Sequence, residues 1–289
     1  MIKYSLVLIL GLTCFSLIAQ DDLLSLLEDE QEPTQTFTQS SFKGTRIING
    51  HSVETRREGN LDFIISHRFG TLNSGSYELW GLDQSNIRIA LEYSLSDNFT
   101  FGAGRNSFEK TYDGFVKYKL LKQQTGIKNI PVSVVWFSSI TAKTLHRFDG
   151  VKTNLNDKLA YTNQVLIARK INSSLSLQIS PTYIHYNLIE LDETSNDVLA
   201  VGIGGRYKIT NRLTVNAEYF PQLSDKGNQY QDAIAFGVDI ETGGHVFQLQ
   251  FSNATAMIEK GFVGETKNDF FGGDIHFGFN ISRAFQLKK

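Results

Sequence analysis

From Leu61 to Leu287 the chain runs in period two, with apolar and polar residues exchanging places along short stretches. That is the period of a strand with one apolar and one polar face. One stretch puts Ile87, Ile89, Leu91, Tyr93 and Leu95 on one face and Arg88, Ala90, Glu92, Ser94 and Ser96 on the other. Near the end, Ile275, Phe277, Phe279 and Ile281 alternate with Asp274, His276, Gly278 and Asn280. Tyr112, Val116, Tyr118 and Leu120 oppose Asp113, Lys117 and Lys119, and Leu175, Leu177, Ile179 and Tyr183 oppose Ser176, Gln178, Ser180 and Thr182. Regions 132–144 and 159–170 alternate poorly, and the pattern leaves their facing open.

The strand cores fall at 61–69, 86–96, 98–107, 112–122, 131–145, 159–171, 174–188, 198–209, 213–223, 232–241, 245–259 and 270–285, about twelve. The connections point to their arrangement. Asp97, Asn172-Ser173, Thr210-Asn211-Arg212 and Thr242-Gly243-Gly244 are tight hairpin signals. The connections 70–85, 146–158, 189–197, 224–231 and 260–269 are long. Short and long nearly alternate, except at the joins after the third and fourth strands. Outer-membrane barrels have short periplasmic turns, long outer loops and an even strand number. A soluble sandwich has no reason to alternate in this way. The expectation is an all-β, closed antiparallel transmembrane β-barrel of about 12 strands in an up-and-down meander, with both termini periplasmic. A soluble lipocalin-like barrel or sandwich is the competing reading.

The first residues qualify this. Lys3, an apolar run from Tyr4 to Ile18 and Ala19 read as a signal peptide over 1–20, cleaved after Ala19 or Gln20. A lipoprotein acylated at Cys14 is the rival, but Gly11 and Thr13 do not make a lipobox. No later apolar run reaches 18 residues, so any membrane crossing must be made by strands. Residues 21–41 form an acidic periplasmic leader carrying Asp21, Asp22, Glu28, Asp29, Glu30 and Glu32. It is either a plain linker or a docking segment for a periplasmic protein partner. Outer-membrane lipid is the other expected partner. The net charge of -2 gives no reason to expect nucleic acid, and one cysteine in the chain excludes an internal disulfide. Twenty-one Phe and 11 Tyr beside 4 Pro favour strands.

Four stretches resemble a Bacteroidota family of outer-membrane β-barrel proteins of unknown function. They are 42–55 (FKGTRIINGHSVET), 61–70 (LDFIISHRFG), 81–86 (GLDQSN) and 111–115 (TYDGF). The resemblance spans essentially the whole chain after the leader. It implies the barrel and its outer-membrane location, and it carries no catalytic residue.

The polar strand faces should line the lumen of the barrel region, 61–289. They carry Asp62, Arg68, Arg88, Glu92, Asp113, Lys117, Lys119, Arg206, Lys208, Glu218, Asp239, Asp274 and His276. These charges either pair across a filled lumen or line a narrow permeation path. The pre-barrel segment 42–60 is too polar for a lipid-facing strand. It carries the plug candidates Arg46, Asn49, His51, Glu54 and Arg56, together with Arg57, and reads either as a lumen plug or as a periplasmic strand or turn. Tyr77, Trp80, Tyr112, Tyr161, Tyr183, Tyr207 and Tyr219 are candidates for interfacial aromatic girdles. Two histidines, His67 and His185, are expected to face outward, but no Gly-x-Ser-x-Gly elbow accompanies them. His276 with Asp274 at i, i+2 is a weak metal pair, and no cofactor is expected. The functional readings are a passive small-solute pore, a closed structural or partner-binding barrel and, remotely, a lipid hydrolase on the barrel wall.

Overall fold

A computed structural model describes residues 34–146, 153–189, 195–225 and 227–288. The segment 1–20 expected to be a signal peptide, residues 21–33 of the expected acidic leader, and parts of two long connections (147–152 and 190–194) lie outside the described residues. Twelve antiparallel strands close one sheet: β1 (Asn60–Thr71), β2 (Ser85–Ser96), β3 (Phe99–Asn106), β4 (Thr111–Leu121), β5 (Ser133–Lys143), β6 (Leu159–Lys170), β7 (Leu175–Tyr186), β8 (Asp197–Lys208), β9 (Leu213–Phe220), β10 (Ala233–Thr242), β11 (His245–Ser252) and β12 (His276–Gln286). Each strand pairs with its neighbours in sequence, and β12 returns to pair with β1. The sheet therefore has no edge, so the strands leave no unpaired row of backbone groups to face lipid.

The two faces are inverted relative to a soluble barrel. On β2 the outward Ile87, Ile89 and Leu91 are 38%, 47% and 48% exposed, while their inward neighbours Arg88, Ala90 and Glu92 are 0%, 2% and 2% exposed. Charge inside and aliphatic side chains outside is the arrangement hydrocarbon demands. Tyr112, Tyr161, Tyr183 and Tyr219 face outward close to one end of the barrel, and Tyr207 faces outward at the other. The Tyr183 hydroxyl donates to Asp197 Oδ1 at 2.7 Å and that of Tyr219 to Asp232 Oδ2 at 2.9 Å. An aromatic body with a bonded polar tip suits a membrane interface.

The ends differ as the connections predict. At the turn end, β10 and β11 join through Gly243 (φ 43°) and Gly244 (φ 108°), with Thr242 opposite His245. Two positive φ angles make this a turn that follows the twist of the strands, and glycine adopts them without a Cβ clash. The blurred joins have a structural cause. Residues 107–110 make a short connection at the loop end, and the connection 122–132 is long at the turn end because Gln124–Thr125 pairs with Thr36–Phe37.

Two strand boundaries are corrected. The eleventh strand stops at Ser252 instead of continuing to residue 259, and the twelfth begins at His276 instead of residue 270. Between them the chain folds inward: Ala254, Ala256, Met257 and Ile258 are buried, and a short helix, α1 (Glu259–Gly264), follows.

Candidate functional site in the lumen and at the loop end

Residues 41–56 lie inside the barrel. They form a hairpin closed by an Arg46–His51 bridge, with Ile47 N–H bonded to Gly50 O and Ser52 N–H to Thr45 O, each at 2.9 Å. Its tip presents three successive backbone N–H groups to one carboxylate. Ile48, Asn49 and Gly50 donate to Glu218 at 3.3, 2.7 and 3.2 Å. Such a row of amides is an anion-binding concavity, and here a wall residue fills it. Gly50 is required at the tip, because a Cβ there would lie 2.7 Å from Phe220 Cζ.

The wall grips the rest of the hairpin through its backbone. Gln178 accepts from Val53 N–H at 3.0 Å and donates to His51 O at 2.7 Å. Lys117 Nζ donates to Ser52 O and Glu54 O, Arg206 to Ser41 O, Gln248 to Ile47 O and Asn280 to Ile48 O, at 2.6–3.0 Å. Apolar contacts cover another face: Phe42, Ile47, Ile48 and Val53 pack with Phe115, Val135, Phe137, Leu166, Ala168 and Ala235. His51 sits 4.6 Å from the ring of Phe115 and 4.4 Å from that of Phe137. Arg46 Nη2 lies 3.0 Å from His51 Nε2. A guanidinium only donates, so this imidazole nitrogen accepts and the ring is neutral. Burial and then the Arg46 charge hold the His51 imidazole well below its ordinary range.

The wall residues singled out from the sequence are placed as follows. Asp62, Arg68, Arg88, Glu92, Asp113, Lys117, Arg206, Glu218, Asp239 and His276 are buried and face inward. Arg88 meets Asp113 through two bonds of 3.0 and 2.5 Å. Arg56 Nε donates to Asp62 at 2.7 Å, and Arg68 Nη2 to Asn49 Oδ1 at 2.7 Å. Asp239 accepts from Gln248 at 2.9 Å and Thr214 at 3.2 Å. Neither carboxylate oxygen of Glu92 has a hydrogen-bond partner among the described residues. Lys119 and Lys208 share the inward parity but lie half-buried near the turn end. Of the hairpin residues, Arg46, Asn49 and His51 are buried within the barrel. Glu54 and Arg56 are half-buried towards the turn end, and Glu54 Oε1 accepts from Ser41 N–H at 2.6 Å.

Asp274 is a correction. It precedes β12 and accepts from Asn73 Nδ2 at 2.6 Å in the loop region, away from the lumen. The Asp274–His276 metal pair goes with it. His276 Nδ1 faces Phe69 O at 2.8 Å, and its Nε2 meets Asn268 Nδ2 at 2.6 Å. No cluster of three metal-ligating side chains occurs among the described residues.

A second element enters from the loop end. Glu259 at the start of α1 is buried 3.5 Å from Arg46 Nη1 and 3.7 Å from His51 Nε2, so α1 and the hairpin meet at one charged junction. Above α1 opens a cup of about 320 Å³. Its floor holds a chain of alternating charges: Lys143 to Glu109 at 2.6 Å, Glu109 to Lys260 at 3.4 Å, and Lys260 to Glu265 at 2.8 Å. Leu145, Leu159, Leu188, Ile189 and Val198 supply an apolar side, and Tyr186 anchors the floor by donating to Lys260 O at 2.7 Å. Sequence reasoning missed Glu259, Lys260 and the cup because 253–258 reads as a continuing apolar strand. The turn of α1 carries no helical period long enough to detect.

Residues 42–285 match the family described as a membrane bound beta barrel domain. The chain belongs to that family. A membrane-bound β-barrel of this closed type spans an outer membrane, and the aliphatic outer face agrees with that setting. No match was found among curated proteins. Solved structures with a similar shape include the NanC porin (11% identity, TM-score 0.49, 79% of this chain and 100% of that one) and the KdgM porin (8%, 0.48, 78% and 99%). Another is the outer membrane phospholipase A from Escherichia coli (12%, 0.40, 79% and 93%).

Proposed function

We propose that this membrane-bound β-barrel is a non-enzymatic outer-membrane protein. Its lumen is closed to passive diffusion, and it acts through the loop-end cup, where a small solute or a partner group binds. The carrying observation is the filled lumen. Arg88, Lys117, Ser52, Thr162, Thr214 and Gln250, on the hairpin and around the wall, are each 0% exposed. No water-sized space touches those side chains. The cup falls at the lower end of the 300–1,000 Å³ range of small-molecule sites and joins an apolar side to convergent polar groups.

A second reading, a gated solute pore, is favoured by the wall itself. The carboxylate oxygens of Glu92 and the Oε1 of Gln164 are buried without a hydrogen-bond partner among the described residues. Such groups gain hydration if the hairpin withdraws. Planar-bilayer recording separates the readings. The parent should show no steady conductance, and deletion of 42–55 should create one. A large steady conductance in the parent would overturn the closed reading. If the deletion fails to assemble, Glu218→Ala, which frees only the hairpin tip, serves as the opening variant.

A further inference from the structure

The turn end of the barrel carries cations that the fold does not neutralise. Arg57, Lys122, Lys128, Arg169, Arg212 and Arg283 are all exposed there. None makes an ion pair among the described residues. The carboxylates at this end are engaged: Glu58 with Lys288, Glu241 with Lys43, and Asp97 with the backbone N–H of Glu58. The described chain begins against this surface. Gln35 bonds to Thr125 O and to both backbone groups of Lys128, and Thr36–Phe37 pairs with Gln124–Thr125. The Lys122 ammonium lies 5.0 Å above the Phe37 ring. Immediately upstream, 21–32 holds six carboxylates (Asp21, Asp22, Glu28, Asp29, Glu30 and Glu32) and no Lys or Arg.

We propose that the acidic segment 21–32 of this chain docks on the cationic turn end. Charge, length and attachment point agree. Residues 21–33 reach up to about 45 Å when extended. A twelve-stranded barrel is about 25 Å across, from the spacing and tilt of its strands, so the segment reaches every cation of the ring. Each exposed pair is weak alone. The tether compensates, because it holds the segment at millimolar effective concentration. The inference is independent of whether the barrel conducts.

Zero-length carbodiimide crosslinking of the refolded full chain in neutral detergent, read by mass spectrometry, tests it. At low salt, crosslinks should join Glu28, Glu30 or Glu32 to Lys122 or Lys128 within one chain. In 1 M salt the Debye length falls to about 3 Å, and they should drop at least fivefold. The double variant Arg169→Glu, Arg212→Glu should lower them comparably while leaving the reactive lysines intact. Crosslinks that are absent at low salt, insensitive to both changes, or formed only between copies would overturn the proposal. Loss of the crosslinks in phosphatidylglycerol vesicles, with persistence in phosphatidylcholine vesicles, would overturn it in favour of anionic lipid as the occupant.

Discussion

At the scale of single residues, neighbouring positions answer to different solvents. Leu91 is 48% exposed on the outer face of β2, and Glu92 beside it is 2% exposed in the lumen. Leu91→Arg places a charge against lipid at a cost of roughly 2–4 kcal/mol near mid-bilayer, and should cut the yield of folded barrel in a refolding assay. Glu92→Gln keeps the shape and removes a charge that accepts no hydrogen bond, so it should refold like the parent. Equal yields for both variants would mean that β2 is out of register. Glu218 poses the opposite case, because three backbone amides depend on it. Glu218→Ala leaves them buried without an acceptor, at about 1–3 kcal/mol for each group. The hairpin should then become cleavable by protease in the folded barrel, while the heat-dependent gel shift of the barrel persists. Protection equal to that of the parent would show that the tip is held by other contacts.

At the scale of elements, alternation was readable wherever a strand divides lipid from polar lumen, as in β2, β4, β7 and β12. It failed for β5 and β6, and the hairpin explains the failure. Their inward Val135, Phe137, Leu166 and Ala168 meet Phe42, Ile47, Ile48 and Val53, so both faces of these strands are apolar. A pattern that assumes a wet interior loses its contrast beside an apolar plug. The hairpin itself was visible in the sequence only as a polar stretch broken by glycines. Its path into the lumen depends on wall partners such as Gln178 and Glu218, which lie more than a hundred residues away. α1 was hidden because its approach mimics a strand. The packing leads to a further expectation. Phe137→Ala removes a fully buried ring from this contact and should cost about 3–5 kcal/mol. The loss should appear as a lower unfolding midpoint in denaturant, whereas Trp136→Ala on the lipid face of the same strand should change the midpoint far less. Equal shifts would mean that the hairpin adds little to barrel stability.

At the scale of the whole molecule, the two ends are chemically distinct, and this carries the last prediction. The turn end has tight hairpins, the junction of 34–38 with 122–132, and unneutralised cations. The loop end has the long connections, four outward tyrosines and the cup. Outer-membrane barrels keep their short turns in the periplasm. A hairpin that enters from the turn end is then attached on the periplasmic side, and the cup opens to the exterior, where a solute arrives first. The chain contains one cysteine, Cys14, so introduced thiols report cleanly. Asn154 and Asn211 are both exposed and stand at opposite ends. On intact cells, an impermeant maleimide should label Asn154→Cys and leave Asn211→Cys unlabelled until the cells are broken. Labelling of Asn211→Cys alone would invert the topology and turn the cup towards the periplasm. The cup would then serve an exported partner, while the closed barrel and its latched hairpin would stand unchanged.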